Sequence, residues 1–153
     1  MHTKEEIKVI KEFIKARPEC KVYLGADSQR LKRKKVKFAT VIIIHYIDEN
    51  GIGKGAKIFT DVTYEKIEDA KLSRPFMRMM TEVNKLTEVY QVLEDVLIDR
   101  DFEIHLDISE QKEHGSNVAC GYAKGMIYGT IGVEPVMKPN AFAASCAADR
   151  YSK

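Results

Sequence analysis

Two aspartates stand where apolar runs end. Asp27 closes most of Tyr23-Leu24-Gly25-Ala26-Asp27-Ser28-Gln29, and Asp107 recurs 80 positions later in Ile104-His105-Leu106-Asp107-Ile108-Ser109. Both runs read as buried strands with a carboxylate at or near the C-terminal end. Such a carboxylate is costly to bury unless something cationic meets it. On neighbouring strands the two would repel, and one pKa would rise unless a cation intervened. Mg²⁺ or Mn²⁺ suits an all-carboxylate set, because hard cations favour oxygen and the chain has no Cys/His cluster to hold zinc. Glu82 and Asp149 are two further acids that could reach the same point from helices. Two ions held about 3.5–4 Å apart by such acids would polarise a phosphodiester, one activating water and the other stabilising the leaving oxygen.

The elements that must position these acids follow from hydrophobic period. Thr3 and Glu6 are spaced as a capping box, and Ile7, Ile10, Phe13 and Ile14 then form one helical stripe that Pro18 closes. Residues 21–27 alternate as a strand, with Tyr23, Gly25 and Asp27 on one face and Val22, Leu24 and Ala26 on the other. A second strand over 38–47 contains the continuous run Val41-Ile42-Ile43-Ile44, the mark of burial on both faces. The turn Asp48-Glu49-Asn50-Gly51 leads to a third strand over 57–63, so these three form an antiparallel meander. The longest helix covers about 74–98, with Phe76, Met79, Met80, Val83, Leu86, Tyr90, Leu93 and Leu97 on one broad face and Glu82 at its edge.

A fourth strand over 102–108 follows that helix, so it should run parallel to a neighbour through a crossover. Residues 110–115 read as a loop, with Ser116 or Asn117 capping the next helix. Gly121, Gly125 and Gly129 recur in that helix every four residues, which predicts close approach to the sheet. A short fifth strand is expected over 133–137, and a last helix from Pro139-Asn140 that places Phe142, Ser145, Cys146 and Asp149 on one face. The expected architecture is one α/β domain spanning 1–153, with a five-stranded mixed sheet flanked by helices.

With 153 residues, 44% hydrophobic and 31% charged, the chain is ordinary for a globular domain, and its net charge of +2 does not by itself announce a nucleic-acid partner. The charge asymmetry is local: Arg30-Leu31-Lys32-Arg33-Lys34-Lys35-Val36-Lys37 carries six basic residues in eight. It emerges directly from the Asp27 strand, so phosphate contacts beside the acids are one reading and a solvated turn is the other. Cys20, Cys120 and Cys146 are odd in number and outside metal-ligand spacing, as buried free thiols would be. No secretory signal and no membrane span is visible, and a cytoplasmic setting is expected.

Architecture and acid order together resemble the ribonuclease H-like superfamily, whose sites use Asp, Glu, Asp and Asp in this chain order. The wording is similar to its YkuK-like branch in Gly25-Ala26-Asp27-Ser28-Gln29, His105-Leu106-Asp107-Ile108, Lys138-Pro139-Asn140-Ala141 and Ala147-Ala148-Asp149-Arg150-Tyr151-Ser152-Lys153. The resemblance implies a divalent-metal-dependent nuclease acting on DNA or RNA, with Asp27, Glu82, Asp107 and Asp149 as catalytic metal ligands. No short motif singles out Glu82 from Glu88 and Glu94 on its helix; it is nearer the helix N-terminus.

Substrate contacts are expected from Ser28, Gln29, Arg30, Lys32, Arg33, Lys34 and Lys35. His105 shares a strand face with Asp107 and reads either as a helper at the site or as a satisfied core histidine. His114, in the loop, is either a proton-transfer group or an exposed side chain. Ser28 lacks the Gly-x-Ser-x-Gly surround of a nucleophile. Tyr23 and Tyr64 are available for base stacking. Two other functions fit the same residues. One is an inactive ribonuclease H-like module binding nucleic acid or a protein. The other is a phosphotransferase, because Gly25-Ala26-Asp27-Ser28 loosely resembles the first phosphate loop of actin-like ATPases, though this chain is short for their second lobe.

Overall fold

A computed structural model describes residues 2–47, 50, 54–67, 76–108 and 117–152. Helix α1 (Lys4–Lys15) begins at Thr3, whose Oγ1 accepts from the Glu6 N–H at 3.1 Å. The reciprocal half of the expected capping box is diverted, since the Glu6 carboxylate instead meets His2 Nδ1 at 3.0 Å. Strand β1 (Lys21–Arg30) runs through the tight turn Lys32–Lys34 into β2 (Lys35–Ile47), and β3 (Lys54–Lys66) follows. Then come α2 (Phe76–Leu97), β4 (Asp101–Leu106), α3 (Asn117–Ile131), a π-helix (Ala143–Ala148) and the short α4 (Asp149–Ser152). Residues 48, 49, 51 and 110–116, with the expected turn, loop, His114 and Ser116, lie outside the described residues.

The sheet order is β3-β2-β1-β4, with β1 antiparallel to β2, β2 antiparallel to β3, and β1 parallel to β4. The meander and the crossover are therefore as expected, but among the described residues the sheet has four strands and not five. Around 133–137 only Val136 pairs, as an isolated parallel bridge to His105, through Leu106 N–Val136 O at 2.9 Å and Val136 N–Ile104 O at 2.8 Å. Pro135 has no N–H to extend the ladder, and Lys138-Pro139 turns the chain away immediately afterwards.

The continuous apolar run of β2 is explained by cover on both sides. Ile42 and Ile44 join Val22, Leu24 and Ala26 in the main core with Ile10, Ile14, Val83, Leu86 and Ile127 from the helices. Val41 and Ile43 face the other way and pack with Ala143 and Ala148 of the π-helix. The sheet is thus pressed between α1, α2 and α3 on one face and the C-terminal helical segment on the other. Gly25 is where that segment comes closest: a Cβ there would stand 2.5 Å from the Ala143 carbonyl carbon.

The glycines of α3 do the opposite of what their spacing suggests. Gly121, Gly125 and Gly129 are exposed, and a Cβ at any of them meets nothing within 4 Å. The helix instead packs through Cys120, Ala123 and Ile127. Cys20 and Cys120 are buried and unpaired, while the side chain of Cys146 lies outside the described residues. Among the described residues no helix is long and apolar enough to cross a membrane.

These two glycine environments give opposite outcomes. Gly25→Ala should destabilise by about 1–3 kcal/mol, because the methyl group meets backbone that cannot rotate aside. Gly125→Ala should stabilise by up to about 1 kcal/mol through helix propensity. Urea denaturation followed by circular dichroism measures both; equal effects would contradict the assigned packing.

Candidate metal and nucleic-acid site

Asp27 and Asp107 become neighbours through register alone. The last paired residues of β1 and β4 are Ala26 and Leu106, and each aspartate is the next residue along its chain. Parallel strands lie about 4.8 Å apart, and equal steps from a matched pair leave side chains on the same face. Asp27 is buried, with Oδ2 accepting from Ser152 Oγ at 3.2 Å. Asp107 is partly exposed, but its Oδ1 is buried and has no hydrogen-bond partner among the described residues. The Lys138 ammonium stands 3.3 Å from that oxygen, within ion-pair distance but outside hydrogen-bond geometry.

Glu82 reaches the same end of the sheet from α2. It is 5% exposed, and its Oε1 accepts from Ser28 Oγ at 2.6 Å. Burial is the main force raising its pKa, from 4.5 to about 8; the negative charges of Asp27 and Asp107 push the same way, while Ser28 and Arg78 pull it back. The carboxylates of both strands are therefore felt at Glu82. Glu88 and Glu94, the competing acids on α2, are exposed. Burial is thus what distinguishes Glu82. Asp149 opens α4 directly after the π-helix, and Ser152, three residues on, ties that helix to Asp27. The side chain of Asp149 lies outside the described residues.

His105 is a satisfied core histidine on one side of its ring. Its Nδ1 accepts from the Ala143 N–H at 3.1 Å, so it fastens β4 to the π-helix that leads to Asp149. Its ring packs edge-on against Tyr23 and Phe142. Burial lowers its pKa, against an opposing pull from Glu103, whose Oε1 is 3.6 Å from Nε2. The imidazole is accordingly neutral, with the proton on Nε2.

The basic segment forms the β1–β2 turn. Arg30 and residues 31–35 are exposed, and Arg33 and Lys34 have φ of 59° and 61°. Arg30 is three residues beyond Asp27 on the same strand, about 10 Å at strand rise. Gln29 is exposed, whereas Ser28 is half-buried and commits its hydroxyl to Glu82. Tyr64 is exposed with the Lys35 ammonium over its ring at 4.9 Å. Tyr23 is half-buried and packs edge-on with His45, His105 and Phe142.

Sequence reasoning missed Ser152, Arg78 and Lys138. Arg78 is one helical turn before Glu82, a spacing that can be read from the chain. Lys138 and Ser152 lie in the two C-terminal stretches that carried the family resemblance, but nothing local points them at Asp107 or Asp27.

The donor chemistry fits a hard divalent cation: carboxylates from β1, from α2 and from the residue after β4 are electrostatically coupled, and one buried oxygen among them has no hydrogen-bond partner among the described residues. Among the described residues, however, no three His, Cys, Asp or Glu side chains form a ready-made cage. A ribonuclease H-like family model matches residues 5–153, and the chain belongs to that family. Comparison with curated proteins and with solved structures gives no match.

Glu82 makes the metal-free protein pH-sensitive. Its folded pKa is raised, so its contribution to stability is complete below about 4.5 and is lost as pH rises through about 8. Glu82→Gln, which cannot ionise, should gain steadily on the wild type in chelator-containing urea titrations between pH 5 and pH 8. A difference that stays flat with pH would contradict the buried, charge-coupled carboxyl.

Proposed function

We propose that the protein is a divalent-metal-dependent nuclease that hydrolyses phosphodiester bonds in nucleic acid. Asp27, Glu82, Asp107 and Asp149 would hold Mg²⁺ or Mn²⁺. The observation that carries this reading is the parallel register that sets Asp27 beside Asp107, with the buried Glu82 close enough to respond to both. Bound divalent ions would supply the Lewis acidity that activates water and stabilises the leaving oxygen.

The chain's own residues do the positioning. Ser28 fixes the Glu82 carboxyl, Ser152 fixes Asp27, and His105 fastens the π-helix behind Asp149 to β4. Arg30, Lys32, Arg33, Lys34 and Lys35 extend beyond the acids on the same end of the sheet and suit the phosphate backbone of a bound strand. Contacts of this kind give affinity and orientation without reading sequence.

The absence of a ready-made cage among the described residues favours a second reading, a non-catalytic module that binds nucleic acid or a protein through the basic turn. One experiment separates the two. Labelled single-stranded, duplex and hybrid oligonucleotides are incubated with the protein in Mg²⁺, Mn²⁺ or chelator, beside Asp27→Asn. The nuclease predicts metal-dependent cleavage that falls by about 10³-fold or more in the variant, on the scale of removing a group that stabilises transition-state charge. Cleavage that survives in Asp27→Asn refutes the site. Oligonucleotide binding without cleavage in any metal selects the module.

A further inference from the structure

The segment Val136-Met137-Lys138, which leads into Pro139-Asn140-Ala141, has no part in the four-acid site, yet it is stitched along the end of β4 beside it. Three backbone hydrogen bonds do this: Leu106 N–Val136 O, Val136 N–Ile104 O and Lys138 N–Ile108 O at 3.2 Å. Met137 is buried between them and anchors the segment. The Lys138 backbone is thereby held next to Asp107 while its side chain remains 40% exposed. Its ammonium is 3.3 Å from Asp107 Oδ1 but makes no hydrogen bond to it, so that buried oxygen keeps an unused acceptor. The pair is attracted without being locked. A lysine head is a compact charge on a flexible four-carbon stem, able to move several ångströms at low cost and to bind phosphate as a point charge.

We propose that Lys138 is the site's exchangeable counter-ion, balancing Asp107 in the metal-free protein and moving to a substrate phosphate oxygen once a divalent ion takes Asp107. The idea rests on the metal-site reading above. It explains why a cationic side chain is fixed beside a carboxylate proposed to bind metal. A permanent ion pair would compete with the metal, whereas a loose one can be displaced. It also keeps a positive charge beside Asp107, within reach of a phosphate that would bind there.

The test begins with Mn²⁺ titrations by calorimetry on the wild type, Lys138→Met, Lys138→Arg and, as a charge control away from Asp107, Lys85→Met. Lys138→Met should bind Mn²⁺ about three- to tenfold more tightly, the scale of losing one partly exposed ion pair. Lys138→Arg and Lys85→Met should stay near the wild-type value. A Lys138→Met affinity equal to or weaker than wild type overturns the proposal.

Anisotropy with a labelled oligonucleotide supplies the second arm. Lys138→Met should weaken binding several-fold with Ca²⁺ present and leave it unchanged in chelator; equal losses in both conditions overturn the exchange. Tighter Mn²⁺ binding by Lys138→Met in a protein that never cleaves would support the counter-ion role and refute the nuclease. Cleavage lost in Asp27→Asn, with Mn²⁺ affinity unmoved by Lys138→Met, would do the reverse. No Mn²⁺ binding by the wild type removes both.

Discussion

The arrangement depends on keeping two like charges side by side. β1 and β4 run parallel in a register that ends at Ala26 and Leu106, so the next residues, both aspartates, leave the ladder from adjacent backbone positions. Backbone hydrogen bonds along six register pairs hold that alignment. The local repulsion is met by several weaker devices: Ser152 on Asp27, Lys138 near Asp107, and a neutralising shift at Glu82. The same repulsion is what a divalent cation would relieve, and it motivates the proposed metal site.

Packing on both faces keeps the strands from adjusting. The helices bury the Val22, Leu24 and Ala26 face of β1, and the π-helix closes the opposite face at Gly25. Because Gly25 lies two residues before Asp27 and touches Ala143, the sheet and the segment leading to Asp149 meet at one tight contact. His105 strengthens the same junction from β4. The C-terminal residues therefore serve both as core cover and as one wall of the candidate site.

Much of this could be read in the chain because the signals are local. Alternation in β1, the unbroken apolar run of β2 and the stripe on α2 each report burial through period, and the helix between strands implied the parallel pairing. Other features could not be read because tertiary context decides them. Val133 to Met137 has strand composition, yet Pro135 and the turn at Lys138-Pro139 limit it to one bridge. The α3 glycines suggested close packing, but which side of that helix meets the core is set by Cys120, Ala123 and Ile127. Glu82 was one of three glutamates on its helix, and only its burial and contact with Ser28 distinguish it. Lys138 faces Asp107 through a bridge that no short motif announces.

At the centre stands the proposal that Asp27, Glu82, Asp107 and Asp149 would hold a divalent cation. Crystals soaked in Mn²⁺ and measured near the manganese absorption edge test it directly. An anomalous peak within direct coordination distance of oxygens from both Asp27 and Asp107 is expected. A fully soaked crystal with no peak between them, or with its only peak elsewhere on the surface, would contradict it.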